Sequence, residues 1–189
     1  MMTAAGEPFE ILVVCTGNIC RSPAGEVLLQ DALGPSVRVR SAGTGALVGR
    51  AVDPQMASLL QADKLDHAGF RARQLAEDEL RGAGLVLAMD LDHRSAIVEL
   101  APATVRRTFT LLEFADIVGH LDPSALAGRQ APADRLQALV PLATAARGRT
   151  RHDAAVEVPD PYRQSQQQFE HSYGLIRGAV DTIAGVVNP

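Results

Sequence analysis

Short apolar runs alternate with helical patterns along most of the chain. The runs predict four buried strands, at residues 9–14, 37–43, 85–90 and 105–111. Turn residues and apolar positions three or four residues apart predict helices at about 23–33, 54–66, 75–84, 91–100, 133–147 and 164–187. Because strands and helices alternate, we expect an α/β fold, a three-layer sandwich in which helices cover both faces of a four-stranded parallel sheet.

The length of 189 residues is that of one domain, so residues 1–189 are predicted to fold as a single unit. The pattern weakens over about 119–157, which we interpret as a surface insertion with one helix. The basic run "RGRTR" at 147–151 is interpreted as a solvated linker. The final helix then shows one continuous apolar face, formed by Phe169, Tyr173, Ile176, Val180, Ile183 and Val187.

Charge and composition exclude several classes of protein. The formal net charge of -4 gives no signal for nucleic-acid binding. No stretch approaches the roughly 20 apolar residues of a membrane-crossing helix, and the first ten residues lack the layout of a signal peptide. Cys15 and Cys20, the only cysteines, form neither a secreted disulfide framework nor a zinc-ligand set. We expect a cytoplasmic protein without a membrane or nucleic-acid partner.

The stretch "CTGNICRSP", residues 15–23, stands between the first strand and the first helix. Ser22 is predicted to cap this helix and Pro23 to occupy its first position. A turn that leads into a helix N-terminus presents backbone N–H groups that bind anions. Arg21 adds a planar guanidinium that matches two phosphate oxygens, and the same positive field favours the thiolate of Cys15. The stretch therefore predicts a nucleophile held against a bound phosphorus atom.

Other interpretations of this stretch explain less of it. A lone cysteine after a strand is usually a small core residue, and a cysteine and an arginine at this spacing occur often by chance. The stretch lacks the Gly-Lys-Ser/Thr of a nucleotide-binding loop and the three glycines of a dinucleotide-binding turn. The combination of Cys15, Gly17, Asn18 and Arg21 between a strand and a helix favours oxyanion chemistry.

These residues resemble the C-x-G-N-x-C-R-S-P loop of the low-molecular-weight protein tyrosine phosphatase family. Further stretches follow in the order found in that family: "SAGT" at 41–44, "RARQL" at 71–75, "AMD" at 88–90 and "VPDPY" at 158–162. The resemblance covers about 9–118 and 156–187. It implies a flavodoxin-like sheet with strand order 2-1-3-4.

The resemblance also implies the roles of three catalytic residues. Cys15 would be the nucleophile that forms a phosphocysteine, and Arg21 would clamp the phosphate. Asp160 would protonate the leaving phenolate and then activate water, although a bare Asp-Pro pair is usually only a turn. Because arginine and backbone amides supply the charge stabilisation, the chemistry needs no metal and no cofactor.

The remaining site residues also come from the resemblance. The phosphate-binding residues would be Thr16, Gly17, Asn18, Ile19, Cys20, Arg21 and Ser22. Ser22, Asn18 and Ser41 would support the thiolate and the loop, and Leu47 and Tyr162 would form walls beside the substrate ring. Cys20 would form a reversible bridge with Cys15 on oxidation, although a cysteine packed as a small apolar residue is the simpler interpretation.

Three positions depart from the family pattern. Leu47 stands where many members carry an aromatic residue, which predicts weaker stacking or a different specificity. Phe70 stands where a histidine often bonds the loop asparagine, so that bond must be absent or replaced. Arg163 follows Asp-Pro-Tyr where some members have another aromatic residue, and it would favour acidic residues beside the phosphorylated tyrosine or be simply solvated.

The sequence favours a phosphotyrosine protein phosphatase, whose partner is a phosphorylated protein such as a tyrosine kinase. An arsenate reductase is one alternative, since an oxyanion-binding thiol loop also suits arsenate. Because no cysteine follows Cys20 to relay a disulfide, such an enzyme would have to use an external thiol. A phosphate-binding module without turnover is disfavoured because Cys15, Arg21 and Asp160 are all present. A protein arginine phosphatase is a third alternative, in which the position of Ile19 is typically threonine.

Overall fold

Four parallel strands form the centre of the protein, whose computed structural model describes residues 8–148 and 156–188. The strands are β1 (Phe9–Cys15), β2 (Val37–Gly43), β3 (Leu85–Ala88) and β4 (Thr108–Thr110). Their order in the sheet is β2-β1-β3-β4 and every pair is parallel. The predicted order 2-1-3-4 is therefore confirmed.

Helices flank the sheet on both faces, as the three-layer prediction requires. They are α1 (Arg21–Leu33), α2 (Pro54–Ala62), α3 (Glu77–Gly82), α4 (Leu91–Leu100), α5 (Leu111–Gly119), α6 (Pro132–Ala146) and α7 (Gln166–Val187). Two short 3₁₀ helices cover Pro102–Arg107 and Pro123–Leu126. No helix within residues 8–148 and 156–188 combines the length and apolar character needed to cross a membrane.

Alternate residues of β1 point into two separate cores. Ile11 and Val13 belong to the larger core, to which α1, α2, α5, α6 and α7 contribute. Leu12 and Val14 belong to the smaller core, on the face covered by α3 and α4. Because a strand buried on both faces must be apolar at every position, this arrangement explains why β1 is a continuous apolar run.

The long C-terminal helix forms as the sequence predicts. All six residues of its predicted apolar face are buried in the larger core. Ser165 caps its N-terminus, where the hydroxyl accepts a hydrogen bond from the backbone N–H of Gln168. The helix packs against α1 and α5, so the end of the chain is fixed beside the element that follows β1.

Most predicted boundaries lie within two residues of the observed ones, and two differ by more. The predicted strand at 105–111 is only three residues long, because a 3₁₀ helix precedes it and α5 begins at Leu111. Thr110 and Glu113 form a reciprocal capping box there, a signal that the sequence contains but that the strand pattern obscured. The helix predicted at 54–66 ends at Ala62, close to Lys64, which has a positive φ of 62°.

The segment predicted as a surface insertion contributes to the core where the structure describes it. Helix α6 buries Leu136, Leu139 and Ala143 against the larger core. The interpretation of 147–151 as a solvated linker is wrong at its first residue. Arg147 lies 3.9 Å above the ring of Phe109 and forms an ion pair with Glu113. Residues 149–151 of that run lie outside the described part of the chain.

Candidate active site

The loop after β1 curves from Cys15 at the end of the strand to Arg21 at the start of α1. The helix begins one residue before Ser22, with Cys20 in the N-cap position, so the prediction that Ser22 caps it is wrong. The Ser22 hydroxyl instead lies 2.9 Å from the sulfur of Cys15. Its position directs it to the sulfur of Cys15 rather than to the helix backbone.

The loop that follows β2 holds the outer side of this curve. Backbone N–H groups of Thr44, Gly45 and Leu47 donate to the carbonyls of the loop after β1, at 2.9–3.0 Å. The N–H of Asp53 donates to the Ile19 carbonyl at 2.8 Å. Because N–H and C=O groups point in opposite directions along a peptide chain, outward carbonyls leave N–H groups facing the inside of the curve. This is the backbone arrangement of an anion site.

Gly43 is required where the two loops meet. A Cβ atom at this position would lie 2.3 Å from the Thr16 carbonyl oxygen and 3.0 Å from the Cβ of Asn18. Backbone atoms on the opposite side cannot retreat without deforming the loop, so only glycine fits here. The glycine of the "SAGT" stretch therefore sets how closely β2 approaches the loop.

Asn18 connects the loop to its surroundings through three hydrogen bonds. It adopts a positive φ of 52°, which asparagine tolerates better than most residues. Its side-chain N–H groups donate to the hydroxyls of Ser22 (2.9 Å) and Ser41 (2.8 Å). Its carbonyl accepts the backbone N–H of Arg73 at 2.8 Å. Because Ser22 accepts from Asn18, its own hydroxyl proton is available to the sulfur of Cys15.

Glu26 extends this network, and no role was predicted for it. The Ser41 hydroxyl donates to Glu26 Oε2 at 2.6 Å, so Ser41 uses its oxygen to accept from Asn18. Burial raises the pKa of Glu26, while the bond from Ser41 and the charge of Arg73 act in the opposite direction. Its place in the first turns of α1, following the loop, is the sequence signal that could have indicated a supporting role.

Arg21 is buried at the end of the loop, where it is the first residue of α1. Only 4% of its surface is exposed. Its Nη1 donates to Asp90 Oδ2 and to the Val158 carbonyl, both at 3.1 Å, and its Nη2 lies 3.2 Å from Asp160 Oδ2. In the described part of the chain, its buried Nε donates to no residue. The contacts of Nη1 and Nη2 therefore fix the orientation of the guanidinium, and Nε remains available for a further hydrogen bond.

Asp160 reaches this site from far along the chain. The Val158 N–H donates to the Met89 carbonyl at 2.8 Å, which fixes the segment beside the end of β3. The hydroxyl of Ser172 in α7 donates to the Pro159 carbonyl at 2.8 Å. Asp160 Oδ1 accepts the Tyr162 N–H at 3.2 Å, so the other carboxylate oxygen is turned towards Arg21. About half of the Asp160 side chain, 52%, remains exposed.

Asp90 and His93 also belong to the site. The sequence indicates Asp90 only as part of the shared "AMD" stretch and does not indicate His93. Asp90 caps α4 by accepting the His93 N–H at 2.8 Å. Burial alone would raise the pKa of Asp90. Hydrogen bonds from His93 and the charge of Arg21 outweigh it and lower that pKa to about 2. Asp90 is thus a fixed negative charge beside Arg21.

Residues 10–125 match the family described as low molecular weight phosphotyrosine protein phosphatase. The chain is also 32% identical over 179 residues to the low molecular weight protein-tyrosine-phosphatase Wzb of Salmonella typhi, covering 95% of this chain and 94% of that protein. The chain belongs to this family. The phosphatase is also 40% identical, over 107 residues, to a protein-arginine-phosphatase of Geobacillus stearothermophilus, which covers 57% of this chain and 72% of that protein.

Solved structures of similar proteins agree with this assignment. The phosphatase superposes on Vibrio vulnificus Wzb in complex with benzylphosphonate with a TM-score of 0.68 and 29% identity. That match covers 94% of this chain and 97% of the other. It also superposes on an arginine phosphatase of Geobacillus stearothermophilus with a TM-score of 0.68 and 26% identity, covering 94% of this chain and 92% of that one.

A cavity of about 310 Å³ lies over the loop of the phosphatase. Cys15 is at its base, and Leu47 and Tyr162, the predicted walls, both line it. Arg163 lines it too, with its guanidinium carbon 5.1 Å from the centre of the Tyr162 ring. The aliphatic Leu47 gives one wall no aromatic face, so ring stacking is available only from Tyr162.

The bond lost through Phe70 is replaced from the backbone. The loop asparagine receives the Arg73 N–H at 2.8 Å, three residues farther along the same segment. The Arg73 side chain also donates to the Ser41 carbonyl at 2.7 Å and pairs with Glu79, which anchors the segment. The loop therefore keeps a partner for Asn18 Oδ1 without a side-chain donor at position 70.

Cys20 lies in the same cavity as Cys15, and both thiols are free. Burial raises the pKa of the Cys20 thiol far above its ordinary value, and the charges of Asp53 and Cys15 add to the effect. Cys20 is therefore held as a neutral thiol in the cavity that Cys15 also lines.

Proposed function

We propose that the phosphatase hydrolyses phosphotyrosine through a phosphocysteine at Cys15, with Arg21 as the phosphate clamp and Asp160 as the general acid and base. The observation that carries this proposal is the approach of two segments that are far apart in the chain: Arg21, in the loop that carries Cys15, lies 3.2 Å from Asp160, while Ser22 of the same loop lies 2.9 Å from the sulfur. A nucleophile, a cation for the phosphate and a proton donor thus border one cavity.

In the first step, the Cys15 thiolate attacks phosphorus and the bond from phosphorus to the phenolic oxygen breaks. The loop N–H groups and Arg21 hold the equatorial oxygens, as the developing charge requires. Protonated Asp160 gives its proton to the leaving phenolate, so that tyrosine departs neutral. The half-exposed carboxyl can reach the leaving group because it stands at the rim of the cavity.

In the second step, the Asp160 carboxylate removes a proton from water, and the resulting hydroxide attacks the phosphocysteine. The sulfur–phosphorus bond breaks, which releases inorganic phosphate and the Cys15 thiolate. The Ser22 hydroxyl donates to that thiolate, since its oxygen already accepts from Asn18. The same serine stabilises the leaving sulfur in this step and the resting nucleophile before the first step.

Selectivity for phosphotyrosine separates this function from that of an arginine phosphatase, the second candidate given by the relative from Geobacillus. Ile19 is 5% exposed and lines the cavity with a branched apolar chain. We expect kcat/KM for a phosphotyrosine peptide to exceed that for the matched phosphoarginine peptide, because an apolar wall suits a ring and disfavours a desolvated guanidinium. The variant Ile19→Thr should narrow this gap, and Ile19→Val, which stays apolar, should keep it.

Equal kcat/KM values for the two peptides in the unaltered protein would assign it to both reactions. If Ile19→Thr and Ile19→Val change the ratio of the two kcat/KM values equally, side-chain volume and not polarity sets the preference.

We infer further that the phosphatase works in the cytoplasm on a phosphorylated protein, with a tyrosine kinase as its partner. The Wzb protein of Salmonella typhi to which it is similar is named a protein-tyrosine-phosphatase, which supports a protein substrate. Arg163 beside the Tyr162 ring offers a cation at the rim, which favours acidic residues next to the phosphorylated tyrosine.

Oxidation is proposed to be reversible because Cys20 lies in the same cavity. Peroxide would convert the Cys15 thiolate to a sulfenic acid, and the Cys20 thiol would then displace water to form a disulfide. We expect dithiothreitol to restore most activity to the oxidised protein but little to oxidised Cys20→Ser, whose Cys15 proceeds to sulfinic acid. Equal recovery in both, with no intramolecular bridge in the mass spectrum, would assign Cys20 to packing alone.

A further inference from the structure

His93 lies between the two ends of the phosphate-binding loop, and the mechanism so far does not use it. It is the third residue of α4, and only 4% of its surface is exposed. Its Nε2 lies 2.8 Å from Thr16 Oγ1, at the beginning of the loop. Its Nδ1 lies 2.6 Å from Asp90 Oδ1, although the ring N–H is not aligned for a linear hydrogen bond.

Asp90 continues this chain of contacts to the other end of the loop. Its second oxygen accepts from Arg21 Nη1 at 3.1 Å, so the imidazole and the carboxylate together connect Thr16 with Arg21. We propose that His93 is a positioning residue for the phosphatase reaction, which rests on the proposed role of Arg21. It holds the Asp90 carboxylate against Arg21 and the Thr16 side chain against the loop, so that the guanidinium faces the phosphate.

The donors and acceptors of the contacts follow from the chemistry of Asp90. An ionised carboxylate only accepts, so the ring proton belongs on Nδ1 and Nε2 accepts the Thr16 hydroxyl. With Nη1 of Arg21 engaged by Asp90 and by the Val158 carbonyl, rotation of the guanidinium would break two bonds. Its Nε, buried and without a partner in residues 8–148 and 156–188, is then kept for a phosphate oxygen.

A purely structural role for His93 predicts different behaviour. Asp90 caps α4 through the backbone N–H of His93, which remains in any substitution except proline. A change of the side chain therefore leaves the helix cap in place and removes only the contacts with Thr16 and Asp90. Oxyanion affinity of the folded protein then reports on positioning, and thermal unfolding reports separately on packing.

The variant His93→Phe keeps a planar ring and removes both nitrogens. With p-nitrophenyl phosphate as substrate, we expect KM and the inhibition constant of inorganic phosphate to rise about tenfold, the scale of one lost hydrogen bond to a charged group. We expect kcat to change less, because Cys15 and Asp160 are untouched. His93→Gln, which retains a donor and an acceptor, should recover part of the affinity. The matched control is His120→Phe, at an exposed histidine that contacts Asp116, and it should change neither constant.

Thr16 provides a second test that does not depend on a buried substitution. Thr16 is exposed, so Thr16→Val and Thr16→Ser should both fold. We expect Thr16→Val to weaken phosphate binding and Thr16→Ser, which keeps the hydroxyl, to preserve it. The double variant Thr16→Val, His93→Phe should lose less affinity than the product of the two single losses, because both remove the same contact.

An unchanged phosphate inhibition constant in folded His93→Phe would overturn the proposal. So would a His93→Phe protein that melts earlier but binds phosphate normally, since that result assigns the histidine to packing. If His93→Phe does not fold, equal phosphate binding by Thr16→Val and Thr16→Ser would overturn the proposal on its own.

Discussion

Cys15→Ser is expected to abolish hydrolysis of aryl phosphates by the phosphatase. A serine hydroxyl at the end of β1 would have the geometry of the thiol but not its acidity, so no nucleophile would form at neutral pH. Steady-state assays with p-nitrophenyl phosphate measure the loss, and isothermal titration with inorganic phosphate tests whether the cradle survives. Phosphate binding should persist, because the backbone N–H groups and Arg21 remain.

The matched control for this variant is Cys20→Ser, the same change five residues along the same loop. Under reducing conditions it should retain most of the activity, since Cys20 is a neutral buried thiol with no part in the two chemical steps. Full activity in Cys15→Ser would contradict the phosphocysteine mechanism. Equal inactivation of the two variants would show that the loop, and not the nucleophile, is sensitive to substitution.

Asp160→Asn is expected to lower kcat by roughly 10²–10⁴-fold, the usual effect of removing a general acid or base. The amide preserves the shape of the side chain but can neither give a proton to the phenolate nor take one from water. The loss should be larger with phenyl phosphate than with p-nitrophenyl phosphate, because the poorer leaving group depends more on protonation.

Asp92→Asn is the control for this second variant. Asp92 is exposed and lines the neighbouring cavity, but it carries no step of the mechanism. Its removal should change kcat by less than twofold, an effect typical of a surface charge in water. If both variants lose activity equally, and equally for both substrates, the site depends on overall negative charge and Asp160 is not the acid. If only Asp160→Asn loses activity, Asp160→Ala, which keeps Cys15 but lacks the general acid, can serve to trap the phosphorylated protein partner.

The sheet and the long helices were predictable because their signals are local and redundant. In β1 and in α7, several apolar residues indicate the same element, so the prediction does not depend on any single residue. Boundaries carried by single residues were harder to predict. The end of β4 depends on a capping box between Thr110 and Glu113, and the strand pattern runs through the first of them.

Cys15, Arg21 and Asp160 lie around one cavity, as expected from the resemblance that supplied their proposed roles. The residues that support them were predicted only in part. Glu26 and His93 act through contacts with Ser41 and Thr16, which lie 15 and 77 positions away along the chain. Contacts over these separations give no periodic signal in the sequence, since they form only when β1, β2 and β3 are aligned in the sheet. The replacement of a side-chain donor at Phe70 by the backbone of Arg73 could not be predicted for the same reason.

Because Arg21 forms an ion pair with Asp160, a substrate phosphate must displace the Asp160 carboxylate when it binds to Arg21. A phosphate dianion that binds Nε and Nη2 of Arg21 competes with Asp160 for Nη2, so the carboxylate must leave that nitrogen to the oxyanion. Because half of the Asp160 side chain is in contact with solvent, an ion pair of this kind contributes only about 0–1 kcal/mol and is easily displaced. The displaced carboxyl remains tethered by the Val158 and Pro159 backbone, which keeps it at the rim where the phenolic oxygen departs. In the proposed mechanism, substrate binding therefore both fills the anion site and frees the Asp160 carboxyl for proton transfer.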